Sequence, residues 1–398
     1  MKLIEVNDNI TKKEFLEVPK ILYKDDKNWI CPLDVEIDGT FNPKNNSCFN
    51  FGEAIRWILK DESGKLIGRI AAFYDNRKKN HCYIPSGNIG FFECINNQEY
   101  ANMLFDKAQE WLKSKGLEAM DGSTNFGENL FNWGVLVDGF EPQEIGMQYN
   151  FPYYKELFEN YGFKDYFKQY SYRKVMAEKW PERQYKMAKF IASRPEYTYE
   201  HFTFANKNKY INDLVDTYNT VWADFHDDYT PLKFEEINKM FDEIKTFLVE
   251  DFVWFVYTNG KPIGMVIVLP DVNQIIKKLK NGKLTLWNKL KFAYLLKYSK
   301  TMNRARIVMT GVVPEFQSKG VIAGLFYYLI NSLEKHNYKQ LELAWTGDYN
   351  PNVLGIYDNI GAFLAKTHIT YKYIFDKNFE FKRFTNERGH KSRRKTDE

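Results

Sequence analysis

The segment Thr310-Gly-Val-Val-Pro-Glu-Phe-Gln-Ser-Lys-Gly-Val-Ile-Ala-Gly-Leu325 sets a β-rich approach, a short basic glycine turn and a long apolar-striped helix in immediate succession. Such a turn can hold a phosphate, because backbone N–H groups at a helix start favour an anion. Gln317, Ser318, Lys319 and Gly320 would form the turn, and Val321, Ile322 and Ala323 the first helical residues. A lone Gln-x-x-Gly is common, so its weight comes from context: a hydrophobic strand before it, Pro314-Glu315 at the turn and an amphipathic helix after it. Proton-transfer candidates close to predicted strand ends are Glu315, Glu342 and Asp348. Glu342 alternates with Leu341 and Leu343 and so faces opposite to them, toward a cleft or toward water. His226, followed by Asp227-Asp228, has the imidazole pKa that general-base work needs, although a solvated polar loop is the commoner setting.

Other chemistries find little support. Ser123 has no His and Asp at a recognisable spacing for a hydrolase triad. The cysteines Cys31, Cys48, Cys82 and Cys94 contain no close CxxC pair, which argues against a zinc site and against a disulfide scaffold. A formal charge of +4 over 398 residues is too small and too dispersed for a nucleic-acid surface. The N-terminus lacks the apolar run of a signal peptide and no apolar stretch is long enough to span a bilayer, so a cytoplasmic location and no integral membrane segment are expected.

The elements that must position these residues fall into two similar series. In the first half a hairpin turns at Ser63-Gly64, a strand covers 87–94, and a helix from about Glu99 to Lys115 stops at Gly116. A glycine-rich connection over 117–151 follows, with Gly122-Ser-Thr-Asn125-Phe-Gly-Glu128-Asn129 and Trp133-Gly134; it reads as an acceptor-binding loop or as a rigid turn cluster. A short helix then ends at Gly162 and a strand covers 166–175. A polar stretch with Pro181 and Pro195 marks the junction. In the second half a strand covers 200–204 and helices cover 211–222 and 234–248. A hairpin turns at Asn259-Gly260, and a basic helical insertion occupies 272–302. Strand 305–313, the glycine turn, helix 321–336, strand 340–345, short helix 353–359 and strand 370–375 complete it. The basic run His390-Lys-Ser-Arg-Arg-Lys395 reads as a solvated tail. The expected domains are 1–180, 181–385 and a flexible tail 386–398, and the length favours two cores.

The order of elements, together with Gln317-Ser-Lys-Gly320-Val-Ile322 and the block Asn352-Val-Leu-Gly-Ile-Tyr357-Asp-Asn-Ile-Gly361, resembles the GCN5-related N-acetyltransferase (GNAT) family, in a tandem-domain type known from uncharacterised bacterial proteins. The resemblance implies an α/β fold with a mixed sheet in each of two GNAT-like acyl-CoA N-acyltransferase domains. It implies acetyl-CoA or another acyl-CoA as substrate, without a metal, and a small-molecule amine or amino-acid-like acceptor. Backbone groups around Val312 and Val313 would meet the thioester, the turn 317–323 would hold the pyrophosphate and Asn352 would lie near the cofactor arm. Tyr357 would protonate the departing thiolate, and Glu342 is the leading base. The family pattern places a small residue where Ile322 stands, with Ala323 one step later. After strand 87–94 the chain reads Ile95-Asn-Asn-Gln-Glu-Tyr-Ala-Asn-Met103, without the glycine that close phosphate approach needs. The first domain is therefore expected to be degenerate. The alternative to a transferase is a noncatalytic acyl-CoA or small-ligand binding protein that keeps the fold. Oligomeric state is open.

Overall fold

The structure is a computed structural model describing residues 1–79, 83–127, 133–223, 231–279 and 281–385. Two compact units emerge. One gathers Met1–Gln169, Ile275–Lys297 and Lys366–Phe384; the other gathers Tyr170–Gln274, Tyr298–Ala365 and Thr385–Glu398. Each unit draws on both halves of the chain.

The first unit's sheet runs β1 (Lys2–Glu5), β2 (Gly52–Lys60), β3 (Leu66–Asp75), β4 (Ser86–Cys94) and β5 (Ala119–Gly122), with β6 (Val135–Asp138) nearby. The 117–151 connection, irregular by pattern, thus contains two short strands. Both pair antiparallel with β13 (Phe363–Ile374), the chain's last strand: Tyr371 lies opposite Gly122, and Ile369 opposite Val135. Helix Gln98–Ser114 packs on this sheet through Ala101, Leu104, Phe105, Ala108 and Leu112, all fully buried, at the spacing of one helical face.

The second unit orders its strands as the end of β7 (Lys164–Val175), β12 (Gln340–Gly347), β11 (Arg304–Val312), β10 (Lys261–Pro270), β9 (Val253–Thr258) and β8 (Thr198–His201). Helix Val321–Lys335 seals one face with Val321, Leu325, Leu329 and Leu333, one residue per turn. β7 lies beside β12 in the sheet, and Arg173, buried, donates from Nε to Oε2 of the buried Glu342 at 3.0 Å. The last strand of the first half thus serves the second unit, while the last strand of the second half serves the first.

Strand β13 is held in the first unit by a buried ion pair. Lys372 Nζ lies 2.7 Å from Asp121 Oδ1, donates to Ser86 Oγ at 2.8 Å and sits 4.5 Å from the Tyr166 ring centre. Burial raises the Asp121 carboxyl above its ordinary value, and Lys372 opposes that shift. Replacing Lys372 with Met leaves a buried carboxylate without its cation and should cost about 3–5 kcal/mol near pH 7 in urea unfolding. The folded-state pKa of Asp121 then lies above the unfolded one. The deficit should therefore shrink on acidification, as Asp121 protonates in the folded state, and grow as pH rises through the raised pKa.

Candidate functional site

In the second unit, β11 and β12 pair in parallel only from Arg304–Gln340 to Ile307–Leu343. Beyond that point β11 continues to Val312 and β12 to Gly347 without further pairing to each other, so the two strands diverge. On its other side β11 stays paired with β10, but with a register shift: Ile307 faces Val268 and Met309 faces Ile267, which leaves Val308 as the extra residue. A bulge of this kind bends a strand and re-aims its end. The result is a wedge with backbone on both walls.

The glycine turn closes the strand. Residues Pro314–Lys319 form a 3-10 turn and Gly320 follows with φ +73°, a left-handed conformation that glycine adopts at little cost. A Cβ there would lie 2.6 Å from Ile191 Cδ1, a side-chain end that can move aside, so the backbone conformation is what favours glycine. Helix Val321–Lys335 then begins with no side-chain cap and no acidic residue in its first turn. The Ala323 amide donates to the Gly320 carbonyl at 2.9 Å. Of the helix's first amides, those of Val321 and Ile322 have no acceptor within the helix. Gln317 donates from Nε2 to the Val312 carbonyl at 3.1 Å, and Gln317, Ser318 and Lys319 are all exposed. The Lys319 ammonium stands 4.2 Å over the Phe316 ring, which holds a positive charge beside the turn. The Val313 amide is engaged by the Ile263 carbonyl at 2.9 Å. Ile322 is half-buried and packs against the core cluster.

Tyr357 sits in helix Pro351–Asn359 and is buried in the same apolar cluster as Val312, Val313 and Val321. Its hydroxyl accepts a hydrogen bond from Thr346 Oγ1 at 3.2 Å, and Thr346 belongs to the divergent end of β12. Burial pushes the phenol up to about 12, so near neutral pH it is a proton donor and not a base. Glu342 lies on the paired part of β12, opposite Arg306 in register and bound to Arg173. Asn352 and Glu315 are exposed, on the first turn of the Tyr357 helix and in the 3-10 turn, and Asp348 directly follows β12. His226, Asp227 and Asp228 lie outside the described residues, as do Glu128 and Asn129.

Two features were not legible in the residues alone. Trp222, at the end of helix Lys207–Trp222, lies against Gly311, where a Cβ would come within 2.7 Å of its ring. Tyr218 stacks on the indole at 4.7 Å, so an aromatic wall flanks the divergent end of β11. The signal was present as Tyr218 and Trp222 one helical turn apart, but it reads equally as a core stripe. In the first unit, Glu93 at the end of β4 accepts hydrogen bonds from Tyr23 and Tyr154 at 2.8 and 2.7 Å and pairs with Arg69 at 3.4 Å. Burial raises this carboxyl, and three partners fix it.

Residues 214–362 match the model of the acetyltransferase (GNAT) family. That part of the chain is similar to GNAT acetyltransferase domains. The chain is 26% identical over 383 residues to a bacterial ceramide synthase of Caulobacter vibrioides, covering 94% of this chain and 97% of the relative. It is 24% identical to Protein YghO of Escherichia coli over 90% of this chain and 92% of that one. Among solved structures, a tandem GNAT protein from the clavulanic acid biosynthesis pathway aligns with a TM-score of 0.55 at 10% identity, over 95% of this chain and 99% of that chain. A GNAT region in a fungal multi-domain β-N-acetylglucosaminidase aligns at 0.56 and 11% identity, over 94% of this chain and 38% of that chain. The α/β fold is that of tandem GNAT proteins, and such a fold supports acyl-CoA-dependent N-acyl transfer in general. Among the described residues no three His, Cys, Asp or Glu side chains group as a metal site would, and no helix is long and apolar enough to cross a membrane.

The Thr346–Tyr357 contact gives a direct test. Tyr357→Phe removes one buried hydroxyl and should cost about 1 kcal/mol of stability, while slowing thiol release by about 10²-fold and leaving coenzyme A affinity within about twofold. Thiol release unchanged from wild type would remove the proton from Tyr357.

Proposed function

We propose that the chain is an acyl-CoA-dependent N-acyltransferase whose GNAT domain is the working site. The observation that carries the reading is the wedge between β11 and β12, opened beyond Ile307 and Leu343 and ending at the uncapped, glycine-initiated helix. An acyl-CoA pyrophosphate would rest on the Val321 and Ile322 amides with Lys319 beside it, and the acyl thioester would enter the wedge. An acceptor amine then attacks the thioester carbonyl, the C–N bond forms, and the C–S bond breaks as Tyr357 gives its proton to sulfur. The amine's own proton must leave to solvent or to a base. Glu342 is the base expected from the sequence; its ion pair with Arg173 supports a structural duty for it, so the reading assigns positioning of the two reactants the larger share of catalysis.

For the acceptor, the full-length relationship to a bacterial ceramide synthase favours a long-chain amino alcohol, since a ceramide is the N-acyl amide of such an amine. This narrows the small amine or amino-acid-like acceptor expected from the sequence to one with a long apolar tail. A noncatalytic acyl-CoA-binding role remains the second reading, favoured by the pairing of Glu342 with Arg173.

Titration calorimetry with acyl-CoA should show one saturable site. Lys319→Glu, an exposed change, should weaken it by about tenfold, the scale of one charge-assisted contact. Thiol release on adding sphinganine distinguishes the readings: turnover supports the transferase, whereas tight binding with no turnover for any amine supplied supports the binding protein.

A further inference from the structure

The basic insertion has no part in the site above. Residues 272–303 carry eight lysines and no Asp or Glu, within a chain whose formal charge is only +4. The segment Ile275–Lys297 belongs to the first unit, where it is anchored by polar contacts: the Asp34 amide donates to the Gly282 carbonyl at 2.9 Å, and Lys277 Nζ donates to the Lys27 carbonyl at 2.7 Å.

Helix Leu286–Tyr298 presents its side chains the wrong way round for a helix serving an ordinary core. Its buried residue is Asn288, which donates from Nδ2 to the Lys283 carbonyl at 2.7 Å and to Asn281 Oδ1 at 3.1 Å. Its exposed residues include Trp287 (75%), Leu290 (57%), Tyr294 (63%) and Tyr298 (64%), with Leu286 (76%) alongside. Spacings of three, four and four place the first four on one stripe. Lys289 and Lys297 are exposed on the same helix. Thirteen residues rise only about 20 Å, too short to span a bilayer, so such a helix can lie only in the interface.

We propose that helix Leu286–Tyr298 docks the protein on an anionic lipid surface, with Trp287, Leu290 and Tyr294 entering the headgroup–acyl boundary and the lysines meeting lipid phosphates. Trp and Tyr suit that boundary because each ring has an apolar body and a polar tip. Charge complementarity selects this occupant. A second copy of the chain would bring the same lysines against each other. A nucleic acid would match the lysines and stack on the aromatic rings, but it has nothing to offer Leu286 and Leu290. The inference stands on this surface alone and does not depend on the acceptor proposed above.

The test is co-sedimentation of the full chain with phosphatidylcholine vesicles, with or without about one-third phosphatidylglycerol. The expected result is binding to the anionic vesicles at least about tenfold above the neutral ones, weakening as salt rises from about 0.1 M to about 0.5 M. Trp287→Ser/Leu290→Ser and Lys289→Glu/Lys297→Glu should each reduce it by about tenfold or more, and the first should leave the urea midpoint unchanged, since both of its side chains are exposed. Absence of vesicle binding, or binding that both variants retain, would overturn the proposal. So would a single-stranded RNA that binds more tightly than the vesicles and is lost in the same variants.

Discussion

The parting of β11 from β12 is the constraint on which the rest of the site depends. Two parallel strands that pair through Ile307 and Leu343 and then separate no longer satisfy each other's backbone groups, a costly arrangement in a buried sheet unless other partners meet those groups. The bulge at Val308 sets where separation starts, and continued pairing with β10 keeps β11 from following β12. Everything with a proposed chemical role lies at or beyond that point: Gly311 under Trp222, the turn to Gly320, and Thr346 with Tyr357. The ion pair Arg173–Glu342 lies on the paired side, next to the place where the sheet must not open.

The first unit shows what the same layout becomes when the gap is closed. There β4 and β5 pair only from Ser86–Ala119 to Asn88–Asp121, and β4 carries its own bulge at Phe91–Phe92, with Phe91 at φ +50°. The opening is filled from within: the Thr124 amide donates to the Ile89 carbonyl at 2.9 Å, and a Cβ on Gly90 would collide with the Thr124 carbonyl. Helix Gln98–Ser114 begins with a real cap, because Asn97 Oδ1 accepts from the Tyr100 amide at 3.1 Å, and Glu99 adds negative charge to its first turn. An anion would have to displace a side chain and face a carboxylate. These contacts support the reading of one acyl-CoA site per chain.

Local features of this architecture were legible in the sequence for local reasons. The helical stripe after Gly320, the glycine stops at Gly116 and Gly162 and the Asn259-Gly260 hairpin each depend on a few consecutive residues. Partnership between distant strands was not legible. Alternation in 363–374 predicts a strand but cannot say which sheet receives it, and the Lys372–Asp121 pair joins residues far apart in the chain. For the same reason Glu342 looked available by alternation alone, since only the fold brings Arg173 to it. Thr346 carried no signal, because a threonine in a strand is ordinary until a tyrosine hydroxyl lies beside it.

The claim of a single working wedge is tested most directly by amide hydrogen exchange with and without a nonhydrolysable acyl-CoA analogue. The account predicts that ligand slows exchange in peptides covering 308–323 and leaves those covering 89–102 unchanged. Slowed exchange in 89–102, or none in 308–323 at saturating ligand, would contradict it.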